Sequence, residues 1–228
     1  MKRMLCWSLG CFILAMIGWG CSKTTPQPVA PTSSISFFHG APSGQLLNVF
    51  LDNTQINSSA FEYTNFSGAL AVPSGNRNVK FTNVASSTKL IDTTLNLLES
   101  KNYSVFVITK QSSISTLVTL DEGALTLPTS DVMIRYIHLS PDTPSAYIAL
   151  TGETSPLFTP QTYLQSSPFK ELVSKPYTFE IRASSDNHVI ASAPLTPRVG
   201  SYYSIILRGY ITPPTGNSNK VTSQIIVN

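Results

Sequence analysis

Two histidines stand 99 residues apart in matching surroundings, His39 in "ISFFHGAPSG" and His138 in "IRYIHLSPDTP". Each ends an alternating apolar run and is followed three residues later by a proline, Pro42 and Pro141. A histidine so placed can act as a metal ligand or general base, or it can donate a ring N–H to a loop carbonyl and tie the turn to the sheet edge. Zinc needs three or four ligands of suitable type, and each copy supplies one histidine and no cysteine. The third histidine, His188, lies in the turn "SSDNH" and answers Asn or Ser types in the first copy. No metal and no cofactor are expected, and the tie is the preferred reading of both histidines.

Other catalytic arrangements are equally thin. No Gly-x-Ser-x-Gly elbow is present, and "PSGNR" at 73–77 reads as a hairpin turn. The carboxylates fall mostly in or beside turns, with the Asp121-Glu122 pair at a turn-rich junction, so paired acids for glycoside hydrolysis are not expected. There is no phosphate loop, dinucleotide fingerprint or basic stripe. The chain carries 15 basic and 12 acidic residues, with Lys2 and Arg3 among the basic ones. Without that pair 13 remain against 12, a balance that draws no nucleic acid.

The elements that must position these residues are strands. Short alternating or apolar runs, at 35–39, 46–51, 78–82, 89–95, 103–109 and 115–120, are separated by Gly, Pro, Asn and Ser clusters, with no long stretch of helical period. Runs at 133–138 and 146–150 repeat the first two at an offset of 99, after which the offset becomes 100: Tyr63 meets Tyr163, Phe81 meets Ile181, and "NYSVFVI" meets "YYSIILR". This is a tandem duplication of one β domain, each copy long enough for its own core. We divide the chain into a signal at 1–20, a Pro/Ser/Thr tether at 21–33, and β-sandwich repeats at 34–125 and 126–228.

"IRYIHLSPDTPSAYIAL" and the later "SYYSIIL" resemble the bacterial domain of unknown function 4397, whose first strand ends in a His-Ala-Ser-Pro-Asp-Ala-Pro type motif. His138, Ser140, Pro141, Asp142 and Pro144 match it. The first copy keeps His39, Ala41 and Pro42 but has Ser43 and Gly44 where the motif has Asp and a small residue. The resemblance implies two immunoglobulin-like antiparallel sandwiches of a cell-envelope protein, and no established chemistry. In such sandwiches a tyrosine opening a strand bonds its hydroxyl back to the preceding turn, which is the role expected of Tyr103 and Tyr203. Tyr202, on the opposite strand face, replaces Asn102 and is a candidate exposed ligand contact.

The N-terminus, "MKRMLCWSLGCFILAMIGWGC", has a basic start, an apolar run shorter than a bilayer span, and a cysteine after a small residue. It resembles a bacterial lipoprotein signal, with Cys21 the lipidated first residue of the mature chain; Gly18 and Trp19 depart from the usual lipobox. An uncleaved anchor helix would give the same attachment. The other cysteines, Cys6 and Cys11, precede Cys21, so a mature chain has no internal disulfide. Ser22 after the cysteine fits an outer-membrane lipoprotein facing either side. Asp92-Thr93-Thr94 resembles an O-glycosylation sequon of exported bacterial proteins, inside an expected strand.

The function expected is a non-enzymatic, lipid-anchored binding, adhesion or scaffold module with an envelope protein or a glycan as partner. The alternatives are a structural accessory subunit of an outer-membrane complex and, third, a hydrolase of envelope polymers with His39 and His138 as its only candidate bases. Both tryptophans, Trp7 and Trp19, belong to the signal, so stacking on a sugar would fall to tyrosine or phenylalanine.

Overall fold

The computed structural model describes residues 31–111, 113–121 and 130–228, and these form one compact unit. Cys21, most of the tether and the junction at 122–129 lie outside the described residues. All regular structure among the described residues is β: fifteen strands in four sheets.

The first sandwich has an outer sheet of β2 (Leu47–Leu51), β3 (Thr54–Gln55), β5 (Gly75–Asn83) and β6 (Lys89–Leu97), in the order β3-β2-β5-β6. Its inner sheet joins β1 (Thr32–His39), β4 (Leu70–Pro73), β7 (Asn102–Lys110) and β8 (Ser113–Leu120) in the order β4-β1-β7-β8. The second sandwich repeats the plan. Its outer sheet is β10 (Ala146–Leu150), β12 (Tyr177–Ala183) and β13 (Val189–Leu195). Its inner sheet orders β11 (Lys170–Val173), β9 (Asp131–Leu139), β14 (Tyr202–Arg208) and β15 (Thr222–Val227) as β11-β9-β14-β15.

Three expectations need correction. The inner sheets are mixed, because β1 runs parallel to β7 and β9 parallel to β14. Those strands are buried on both faces, the setting in which parallel pairing occurs. The segment 73–77 is not a hairpin: β4 pairs with β1 and β5 with β2, so the chain there crosses from one sheet to the other. The tether also ends earlier, since Thr32 and Ser33 already belong to β1.

Alternation explains the cores. Ile35 and Phe37 of β1 meet Val105 and Val107 of β7 and Leu47, Val49, Val79 and Phe81 of the outer sheet. Ile134, Tyr136, Ile205, Ile148, Phe179 and Ile181 make the second core in the same way. The opposite faces of the two inner sheets then pack on each other: Phe38, Phe106 and Ile108 against Ile137, Leu139, Ile206 and Ile226. The result is a four-layer stack. Gly40 admits this approach, because a Cβ there would stand 2.7 Å from Leu139 Cδ1.

A polar cluster pins the contact between the inner sheets. Arg135 is buried, and its Nη1 meets Asp121 Oδ1 at 2.6 Å. It also donates from Nε to Ser204 Oγ at 2.7 Å and from Nη2 to Ser104 Oγ at 3.2 Å. Ser104 donates to Asp121 Oδ2 at 2.7 Å, and Asn228 Nδ2 reaches the same oxygen at 3.3 Å. Desolvation lowers the pKa of Arg135, against which Asp121 holds the charge. The register makes Asp121 and Asn228 equivalent, for each N–H bonds the first residue of its partner strand, Asn102 or Tyr202. The ion pair therefore joins residues whose counterparts, Ser36 and Asn228, have uncharged side chains.

Candidate functional site

The two repeated histidines close their first strands on the core side. His39 is fully buried, and its Nε2–H donates to the Gln45 carbonyl at 2.8 Å; His138 does the same to the Pro144 carbonyl at 3.1 Å. A carbonyl partner fixes the proton on Nε2. Burial lowers both pKa values, that of His39 to about 4, so both rings are neutral at pH 7. The His39 ring stacks 6.0 Å from Phe61, and His138 lies 6.3 Å from Tyr136. Each ring faces its own sandwich core, so the two histidines are not brought together.

Beyond the histidines the two turns differ. In the second repeat Asp142 reaches forward, its two carboxylate oxygens accepting the N–H groups of Ile211 and Thr212, each at 2.8 Å. Ser140 Oγ donates to the Gly209 carbonyl at 2.6 Å. Together they hold the start of the long β14–β15 connection, "GYITPPTGNSNKV". That connection folds tightly on itself: Tyr210 N–H donates to the Asn219 carbonyl at 2.9 Å and Val221 N–H to the Tyr210 carbonyl at 2.7 Å. Only glycine fits at 209, since a Cβ would lie 2.2 Å from the Lys220 carbonyl oxygen. The far end of the loop crosses to the first repeat, where Asn217 and Asn219 donate side-chain N–H groups to the Pro42 carbonyl at 2.7 and 2.8 Å. Pro141 and Pro42 thus flank one loop that is anchored in both repeats.

Between these anchors lies an open groove of about 680 Å³, lined by Ser43, Thr109 and Gln111 from the first repeat and by Pro141, Tyr163, Tyr210 and residues 214–217 from the second. None of the lining side chains is charged. The half-buried Tyr163 donates its hydroxyl to the Thr109 carbonyl, and burial pushes its pKa up to about 12. The Thr109 hydroxyl, in the same wall, is buried without a partner. The equivalent flank of the molecule is closed. There Arg208 sits 5.3 Å over the Tyr63 ring and Gln224 donates to the Thr64 carbonyl at 3.0 Å.

The other residues singled out in the sequence lie away from this groove. The Tyr103 hydroxyl accepts the Leu98 N–H at 3.0 Å and the Tyr203 hydroxyl the Arg198 N–H at 2.9 Å, each five residues back in the preceding turn. Tyr202 is not exposed. Only 5% of it is accessible, because its ring packs edge-on against Phe169 at 5.3 Å. It lines a separate cavity of about 220 Å³ with Asn102, Asp121 and Asn228. His188 is exposed and its Nδ1 lies 2.6 Å from Asp186. Asp92, on the exposed side of β6, bonds Asn78 at 2.8 Å and Lys89 at 3.0 Å. Among the described residues no group of three or more His, Cys, Asp or Glu is placed to hold a metal.

A family profile, Domain of unknown function (DUF4397), matches residues 33–149, from β1 through β10. The chain belongs to this family. No curated protein matches it. Among solved structures it is similar to CBMbc (family CBM26) from Eubacterium rectale Amy13K, determined in complex with maltoheptaose, at 10% identity and a TM-score of 0.24, covering 86% of this chain and 96% of that one. A likeness of that degree carries nothing about what this chain binds.

Proposed function

We propose that the protein is a non-enzymatic, lipid-anchored binding module of the cell envelope, two immunoglobulin-like sandwiches of duplicated origin held on a short tether from Cys21. The groove beside Pro141 is its ligand site. The observation that carries this reading is that side chains of both repeats and a loop anchored in both converge on one open, uncharged concavity. Binding sites are concave and built from a few fixed polar groups among apolar ones. A loop tied at Asp142 and at Pro42 supplies that fixity.

Catalysis by the repeated motif is disfavoured on geometry. His39 and His138 are enclosed, neutral at pH 7 and bonded through Nε2 to a loop carbonyl, so neither offers a proton site to an outside substrate. Anchoring rests on the N-terminal sequence, where an acylated Cys21 would hold the chain at roughly 0.8 kcal/mol per buried methylene.

Fractionation of cells producing the wild type and Cys21→Ser tests the anchor. The wild type is expected in the outer-membrane fraction with fatty acid on Cys21, and Cys21→Ser without it. Unmodified Cys21 in the wild type would contradict the anchor. Protease shaving of intact cells, against a protected periplasmic lipoprotein, then decides whether the ligand is sought outside the cell or in the periplasm.

A further inference from the structure

The groove beside Pro141 has a chemistry specific enough to name its ligand class, given the reading of it as the binding site. We propose that it takes a neutral carbohydrate. Two tyrosines, Tyr163 and Tyr210, supply rings that combine an apolar face with a polar edge. Around them stand the amide of Gln111 and the hydroxyls of Ser43 and Thr215. A sugar ring presents C–H faces to stack on aromatic rings and, at its rim, hydroxyls that both donate and accept.

The absence of charge in the wall decides between classes. An anionic polymer or a phosphorylated group would call for Arg or Lys, and a cationic ligand for Asp or Glu; the lining holds none of these. A proline-rich peptide also fits grooves of tyrosine and proline, yet its imide backbone offers carbonyl acceptors and few donors. A wall carrying an amide and hydroxyls is matched by a ligand that both gives and receives hydrogen bonds.

Position supports the same conclusion. The Asp142 clamp and the Asn217 and Asn219 contacts to Pro42 hold the loop over the groove, so the walls are set before a ligand arrives. The other flank has the same tyrosine in the first copy, Tyr63, but Arg208 covers its ring. Of these two equivalent flanks, the one beside Pro141 is therefore the open one.

The test uses the full chain in a zwitterionic detergent free of sugar headgroups, titrated calorimetrically and by saturation-transfer NMR. The probes are neutral hexasaccharides of glucose, mannose, galactose and N-acetylglucosamine, with oligogalacturonide as the anionic probe and decaproline as the peptide probe. At least one neutral hexasaccharide is expected to bind, with affinity lowered at least about tenfold in Tyr210→Ala and also lowered in Gln111→Gly, whose positive φ (48°) glycine accepts. Asp92→Asn, on the far outer sheet, is the unaffected control. If only oligogalacturonide or decaproline binds, and Tyr210→Ala abolishes that, the groove remains a binding site and the carbohydrate class is wrong. If no probe responds to either groove variant, both the class and the site fall.

Discussion

The two repeats end their first strands on the same histidine tie and then differ four residues on, just past the shared proline. In the first, Ser43 comes after Pro42 and the β7–β8 turn is short, so there is no loop to hold. In the second, Asp142 comes after Pro141 and clamps a connection that runs from 209 to 221. The histidine is common because each sandwich must fasten the end of its central strand. The aspartate occurs once because only one repeat has a loop to anchor. The motif that occurs twice thus separates its parts, a shared one that serves the fold and an unshared one that shapes the groove.

The largest break in this comparison is expected at Arg135, where the repeats differ most in charge. Arg135→Ala strands Asp121 in a buried site and should cost about 3–5 kcal/mol of unfolding free energy, measured by denaturant titration. Ser36, the counterpart of Arg135, bonds the Ser104 hydroxyl and, at 3.5 Å, the Tyr103 carbonyl, so Ser36→Ala should cost about 1 kcal/mol. Equal losses at the two positions would deny the asymmetry.

Acid should weaken both repeats through the shared histidines. A folded pKa of about 4 for His39, below the unfolded value of 6.5, means that the unfolded chain binds the proton first. The stability conferred is complete above about pH 6.5 and lost as pH falls toward 4, on the order of 3 kcal/mol for His39, with His138 acting in the same direction. The pH slope between 6.5 and 4 should flatten in His39→Gln. An unchanged slope would remove the histidine from the acid response.

Asp142→Ala frees the solvent-exposed N–H groups of Ile211 and Thr212 and should cost about 1–2 kcal/mol, with faster amide exchange at those two residues and no change at Lys110 and Gln111. Tyr103→Phe and Tyr203→Phe are the smallest, about 1 kcal/mol each, and their equality would show that the turns before β7 and β14 are fastened alike.

Much of this was legible in the chain. The alternation around His39 and His138 gave the core faces of β1 and β9, and the offset of "NYSVFVI" to "YYSIILR" gave the equivalence of β7 and β14. The packing of one sandwich on the other was not expected, since each copy looked self-sufficient. A signal existed: "SVFVI" and "YSIIL" are apolar on both faces, the mark of strands covered from both sides. Arg135 lies in β9, another strand covered from both sides, and its partner Asp121 reads in the sequence as a turn acid. The groove was harder to foresee, for its lining comes from five separate segments and its loop, 209–221, is far longer than the β7–β8 turn that answers it in the first copy. Tyr202 misled for a related reason: its face of β14 looks outward in a single sandwich and inward once two are stacked.

The two repeats act as one folded unit with a groove held by both, and equilibrium unfolding of the purified chain, read by amide exchange in each outer sheet and by calorimetry, tests this most directly. A single transition is expected, with the Val79–Phe81 and Phe179–Ile181 strands losing protection together and calorimetric and van't Hoff enthalpies in agreement. Two separable transitions, one for each sandwich, would contradict it.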